Sequence, residues 1–272
     1  MKQKKQSKNY NAPALDKGLD ILELLSDSNG GLTQAQIASH LNKSINEIYR
    51  MISTLRSRGY VEFNENTDIY SLSYKILIIA SSLEPVKTLT ARTIPLMKEI
   101  TIKTNQSIHL AIFTRGKILL IAQEDSPSSF NYHMSVGANI DALETSSGRV
   151  LLTFQSEDER KRKLERRKFY MNLDKKRNIS SSDLKKIENQ FSKKTMQKIF
   201  KDRFEVVKSL QVKGVTNITI PIFDHTENAI AALTIPFVDR INKKEELSIK
   251  QVTNLLVSYG KTLSFEMGHR GK

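Results

Sequence analysis

The sequence predicts an α+β protein in two parts: an N-terminal winged helix-turn-helix, a linker helix, and a C-terminal domain built on an antiparallel sheet. Three observations lead there. Two helix-start signatures, Thr33 with Gln36 and Ser44 with Glu47, stand eleven residues apart. Two short apolar runs, Tyr60–Phe63 and Ile69–Leu72, flank the polar stretch Asn64–Asp68, the pattern of a hairpin. Beyond residue 107, β-like runs interleave with helical ones in mixed order, which favours an α+β layer arrangement.

The elements follow in order. Residues 14–26 (ALDKGLDILELLS) have helical spacing, with Leu15, Leu19, Leu22 and Leu25 or Ile21 expected to face inward. In each capping box the hydroxyl accepts from an orphaned N–H of the first turn, and the Gln or Glu reaches back to the cap. The first helix of the pair is expected over Gln34–Leu41 and the second over Ile45–Arg58, with Asn42 and Lys43 in the turn and Gly59 as the stop. Ile45, Ile48, Ile52 and Leu55 make one apolar stripe on the second helix. Its opposite face carries Asn46, Tyr49, Arg50 and Ser53. Asn can pair with adenine, and Arg with guanine or phosphate, when such a helix enters the major groove. An ordinary solvated face is the bland alternative, and the flanking helix and hairpin weigh against it.

After the hairpin, Tyr74–Leu83 suits a linker helix ended by Pro85, and a second helix is expected over Leu89–Thr104. Strands are expected at Ser107–Thr114 and Lys117–Gln123 around the Arg115-Gly116 turn, then at Asn131–Val136, Phe204–Val207, Val215–Phe223 and Ile230–Phe237. Helices are expected over Ser146–Phe154, residues 157–168 and 182–201 (capped by Ser181 or Ser182), and Ser248–Met267. Leu184, Ile187, Phe191 and Ile199 are the inward residues of the third of these.

The chain has 272 residues, room for about two domains. It has no cysteine, which excludes disulfides, thiolate catalysis and Cys-based zinc sites. A cytoplasmic location is the expectation. No apolar run approaches the length of a membrane span, and the basic start MKQKKQSKNY lacks the apolar stretch of a signal peptide. The net charge of +14 is concentrated: residues 156–213 hold nineteen Lys/Arg against nine Asp/Glu, whereas residues 1–73 hold nine against eight. The bulk charge is therefore no argument for DNA binding by the N-terminal part. The run Arg160–Lys168 is a solvated helix face or a surface for an acidic partner. The five histidines show no short metal-binding spacing, and neither a G-x-S-x-G elbow nor a P-loop is present. No cofactor, metal or catalytic residue is expected.

The chain resembles the IclR-type bacterial transcriptional regulators over about residues 12–268. The resemblance rests on PALDKGLDILELL, IYRMISTLRSRGYVE, IHLAIF, TSSGRVLL, GVTNITIPIFD and IAALTI, in that order. It implies an N-terminal winged helix-turn-helix, a linker helix and a GAF-like effector-binding domain. It also implies dimers or tetramers on palindromic operators, with a small metabolite modulating binding, most often in repression. The implied division is a basic tail at 1–11, the DNA-binding domain at 12–73, the linker at 74–88 and the effector domain at 89–272.

The candidate DNA-contacting residues are Lys43, Ser44, Asn46, Glu47, Tyr49, Arg50 and Ser53. Glu47 is either committed to its capping box or an acceptor for cytosine. In the effector region, Thr145, Ser146 and Ser147 match the family's ligand-facing segment, Asn217 stands where a cysteine is frequent, and Thr234 matches a family hydroxyl while Pro236 replaces a second. An acidic residue common upstream of the GVTNITIPIFD strand is expected to be absent, its place falling near Val207 or Lys208. His109, Ser146, Ser147, Asn217 and Thr234 are thus the candidate effector-binding residues. The competing readings are a satisfied core histidine for His109, helix caps for Ser146 and Ser147, and sheet packing for Asn217 and Thr234. Two other functions compete: a metabolite-converting enzyme with an appended helix-turn-helix, and a protein-interaction module using the basic middle segment.

Overall fold

A computed structural model describes residues 12–28, 30–129, 131–173, 191–240 and 247–271. The chain forms two compact units, divided between Glu84 and Pro85.

The first unit holds helices α1 (Pro13–Asp27), α2 (Gln34–Leu41), α3 (Ile45–Ser57) and α4 (Lys75–Ser81). Its small sheet has the order β1-β3-β2, with β1 at Leu32–Thr33, β2 at Val61–Asn64 and β3 at Ile69–Leu72. Both capping boxes form: Thr33 and Ser44 each accept from the N–H three residues on, while Gln36 and Glu47 accept from the cap N–H in return. Asn42 takes the left-handed conformation that turns α2 into α3, a position where Asn tolerates the strain better than most residues. Ile21, Leu25, Ile37, Ile48, Ile52, Val61 and Tyr70 close the core between the helices and the hairpin.

Two expectations fail here. Leu15 and Leu19 point outward, 62% and 47% exposed, while Ile21 and Leu25 are buried. Two residues along a helix is about 200° of rotation, so Leu19 and Ile21 cannot share a face. Ile45 is also exposed, because it starts α3 ahead of the turn that packs.

Pro85 does not end the linker helix. That helix stops at Ser81, and Pro85 lies in the first turn of α5 (Glu84–Thr104), where its missing N–H costs no intrahelical bond.

The second unit is built on a six-stranded, fully antiparallel sheet of order β6-β5-β4-β9-β8-β7. The strands are β4 (Ile108–Thr114), β5 (Lys117–Glu124), β6 (Asn139–Asp141), β7 (Glu205–Lys208), β8 (Val215–Phe223) and β9 (Ala229–Val238). Among the described residues, the helices are α5, α6 (Ser146–Thr153), α7 (Glu157–Leu173), α8 (Lys193–Asp202) and α9 (Ile249–Glu266). One core cluster joins the sheet to α5 and α9 through Met97, Ile100, Ile220, Leu233 and Leu256. A second joins it to α6 and α8 through Val150, Leu151, Ile199 and Ala232. Period-two alternation along β8 separates the two: Ile218, Ile220 and Ile222 face the first cluster, leaving Asn217 and Thr219 for the other side. Pro221 and Pro236 each sit where one neighbouring strand has already ended, so neither interrupts a two-sided ladder.

The third predicted strand is displaced. Residues 131–135 have no regular structure, Val136-Gly137 is a turn with Gly137 at φ +91°, and the strand that pairs with β5 is Asn139–Asp141. The predicted helix over 182–201 lies partly outside the described residues, with Leu184, Ile187 and both proposed serine caps. In the described part the expected helix is broken: Phe191 lies in a turn and Ser192 caps a new start, so α8 begins only at Lys193. Among the described residues, no helix is long and apolar enough to cross a membrane.

Candidate functional site

Two places gather the candidate residues. The first is the exposed side of α3. Asn46, Tyr49, Arg50 and Ser53 all face solvent, Tyr49 with 58% of its surface free. Lys43 is exposed in the turn before them.

Ser44 and Glu47 are placed differently. The Ser44 hydroxyl accepts from the Glu47 N–H at 3.3 Å and donates to Glu47 Oε2 at 3.0 Å. Oε2 also accepts from the Ser44 N–H at 3.1 Å, and Oε1 accepts from Lys17 Nζ at 2.6 Å. The Lys17 bond, ahead of the two from Ser44, holds the Glu47 carboxyl well below its ordinary range, at about 2. Both oxygens are thus spent on the helix start and on the tie to α1.

The wing is braced from behind the reading face. Arg56 lies over the Phe63 ring at 5.1 Å, and Lys75 donates to the Arg58 carbonyl at 2.6 Å while lying over Tyr60.

The second place is a cavity in the sheet unit, and the structure brings His109, Ser146, Ser147, Asn217 and Thr234 together in its lining. Cross-strand register explains the convergence. Thr234 of β9 lies opposite His109 of β4 on one side and Thr219 of β8 on the other, with Asn217 two residues from Thr219. Such neighbours share one face of a sheet.

The N-terminus of α6 meets that face. Thr145, and neither serine, is the cap of α6, accepting from the Gly148 N–H at 3.0 Å. Ser146 and Ser147, freed from capping, join a chain of buried hydroxyls. Ser146 bonds Thr219 at 2.7 Å, Thr219 bonds Thr234 at 2.9 Å, and Thr234 bonds Ser147 at 2.9 Å. Gly148 makes the close approach possible, since a Cβ there would fall 1.9 Å from the Ala142 carbonyl oxygen.

Among the described residues, no Lys, Arg, Asp or Glu lines the cavity. Burial pulls the His109 imidazole down to about 4, and its Nδ1 is buried without a hydrogen-bond partner. It is a neutral ring at physiological pH. Tyr132 and Met134, from the segment that was expected to be a strand, cover one side, and Ser209 and Gln211 another. The covering segment is tied down where His133 Nδ1 pairs with Asp125 at 3.0 Å. The volume open to the centre of a water molecule is only about 20 Å³, close to what one water needs.

A buried acid is present after all, though not at Val207 or Lys208. Glu205, opposite Thr219, accepts from Arg149 Nε at 3.0 and 3.2 Å. Burial raises its carboxyl above the ordinary range, against the pull of Arg149. Arg149 also donates to the Leu143 carbonyl at 3.2 Å, fastening α6 to the turn before it and to β7. A similar pair, Arg167 with Asp141 at 2.9 Å, fastens α7 to β6.

Sequence reasoning missed Thr219 and the Arg149–Glu205 pair. Alternation from Asn217 gives Thr219. The pair has no local signal, because its members are 56 residues apart. Among the described residues, no group of three or more His, Asp or Glu could hold a metal.

Comparison with known proteins covers both units. Residues 85–264 match the family described as bacterial transcriptional regulator IclR C-terminal, and residues 14–65 the IclR helix-turn-helix domain. The HTH-type transcriptional regulator KdgR of Escherichia coli (strain K12) is 27% identical over 252 residues, 92% of this chain and 90% of that protein. BhcR of Paracoccus denitrificans (strain Pd 1222) is 22% identical over 94% of this chain and 88% of its own. Two solved structures share the fold. One is the IclR protein of Thermotoga maritima, with TM-score 0.67 and 22% identity over 94% of this chain and 98% of that one. The other is an IclR homolog from Microbacterium hydrocarbonoxydans complexed with 4-hydroxybenzoate, with TM-score 0.72 and 13% identity over 93% and 98%.

Proposed function

The chain belongs to the IclR family of bacterial transcriptional regulators, and from that premise we propose that α3 reads an operator while a small metabolite in the hydroxyl-lined cavity controls the reading. The observation that carries this is the convergence of His109, Ser146, Ser147, Asn217 and Thr234 on one closed cavity, in a unit whose partner presents a capped helix with an exposed polar face.

On α3 the reading residues are Asn46, Tyr49, Arg50 and Ser53, with Lys43 on phosphate. Arg50 is the strongest contributor, since a bidentate contact to guanine is worth about 1–3 kcal/mol. Ser44 and Glu47 serve the helix start and do not read bases. The effector is a small polar metabolite held by neutral donors and by the N-terminal amides of α6, which favour an anionic oxygen. The cavity is too small for such a ligand, about 20 Å³. Binding therefore selects an opened arrangement of the segments bearing Tyr132 and Gln211, and the effect on DNA follows from different ligand affinities in the two states. The exposed apolar residues Tyr74, Leu77, Ile78 and Leu83 around α4, with Leu15 and Leu19 on α1, support a homodimer, with homotetramers as its pairs. A dimer would present two α3 helices to half-sites about 10 base pairs, or a multiple, apart.

The experiment is a pair of variants on DNA selected from a random-sequence pool. Arg50→Ala is expected to weaken binding at least about tenfold and to keep the thermal shift caused by an effector found in a metabolite panel. Thr234→Val is expected to keep DNA affinity and lose that shift. Equal DNA binding by Arg50→Ala and wild type removes Arg50 from the reading surface. An unchanged shift in Thr234→Val removes the cavity from effector binding.

A further inference from the structure

A second cavity, of about 330 Å³, lies beside the C-terminal half of α9 and shares no residue with the hydroxyl-lined one. Its volume is in the range that small-molecule sites occupy. Two features set its chemistry.

The first is an apolar floor. Ile220 of β8 and Val257 and Phe265 of α9 form it. At its edge α9 comes close to β8 at Gly260, where a Cβ would fall 2.2 Å from Ile220 Cδ1. Ser264, although polar, is fully used: its hydroxyl donates to the Gly260 carbonyl at 2.7 Å and accepts from the Phe223 N–H at 3.0 Å.

The second is a cationic rim. Arg203, Lys261 and Arg270 line the cavity, and among the described residues no carboxylate does. His269, also in the lining, lies 3.2 Å from Glu227 through its Nδ1, and its ring is stacked on Phe223. Arg203 is held in place as a planar cation, 4.7 Å above Phe223 and 5.1 Å above Phe154. A flat apolar floor under three permanent positive charges suits a ligand with an apolar body and one anionic end. DNA phosphate would use the charges and leave the floor empty.

We propose that this cavity is a second ligand site, separate from the effector cavity, that takes a compact aromatic or apolar carboxylate, its apolar body on Val257 and Phe265 and its carboxylate among Arg203, Lys261 and Arg270. The site is joined to the first through Phe154. That residue ends α6, whose other end faces the hydroxyl chain.

The test is a ¹⁹F NMR titration of the full-length protein with 4-fluorobenzoate, with neutral 4-fluorobenzamide as the control of equal shape. Lys261 and Arg270 are both exposed, so the double variant Lys261→Met/Arg270→Met keeps the fold. Saturable benzoate binding, weakened at least about tenfold in the double variant and unchanged in Ser147→Ala, is the expected result. The amide should bind wild type and variant alike. Three results overturn the proposal: no saturation up to about 10 mM, equal benzoate affinity in the double variant, or loss of binding in Ser147→Ala, which would place the probe in the effector cavity.

Discussion

His109 is a neutral ring sealed inside a sheet, and that alone makes the protein's stability depend on pH. Its folded pKa, about 4, lies below the ordinary 6.5 because burial disfavours the cation. Between those values the unfolded chain binds the extra proton and the folded one does not, so stability rises with pH across that window. The contribution is complete above pH 6.5 and is lost as pH falls toward 4, on the order of 3 kcal/mol in all. Urea unfolding of wild type and His109→Gln at several pH values should show this as a steeper loss in wild type; parallel curves would mean that the ring is hydrated. The residue's position was legible from the alternation of IHLAIF, but its lack of a partner was not, since that depends on what β5 and β9 bring alongside. The same holds for Thr219. Its face follows from Asn217 by simple alternation, whereas its bonds to Ser146 and Thr234 need the register of three strands.

At the scale of elements, local chemistry was readable and burial was not. The starts of α2 and α3 were plain because a capping box is complete within four residues. The wing was plain because its turn residues are local as well. Leu15, Leu19 and Ile45 were misjudged because apolar spacing offers more than one stripe, and only the neighbouring elements choose which is buried. The misplaced strand at 131–136 follows the same logic: alternation was present, but β5 pairs with Asn139–Asp141 instead. Glu47 shows what a well-formed start can do beyond its own helix, since it also receives Lys17 from α1. Ser44→Ala should therefore cost about 1 kcal/mol, read as a lower urea midpoint for amides of residues 33–58 in hydrogen exchange. Lys43→Ala should not move that midpoint. If the two variants behave alike, the cap is not what holds α3 to its neighbours.

At the scale of the whole molecule, the exposed apolar side chains of α4 are too many to be incidental. Leu77 and Ile78 are 66% and 67% exposed, and Tyr74 is 81% exposed. Contiguous apolar surface of this kind marks an association site in soluble proteins. A symmetric pair would bury the same row on both copies. The double variant Leu77→Glu/Ile78→Glu should sediment as a smaller species than wild type at micromolar concentration. It should also lose most of its affinity for a two-half-site operator while retaining its effector response. An unchanged sedimentation coefficient would place the interface elsewhere.

The buried hydroxyls carry a consequence of their own. Ser146, Thr219, Thr234 and Ser147 own four hydroxyl protons and are joined by three hydrogen bonds, so the set has one proton to spare. Whichever end gives that proton to a guest, every link must point toward it. The chain is thus polarised as a unit, like a row of compass needles. A guest that takes a hydrogen at Ser147 finds only lone pairs at Ser146. The cavity would therefore tell apart two isomers that exchange a hydroxyl for a carbonyl, even where their size and charge are the same.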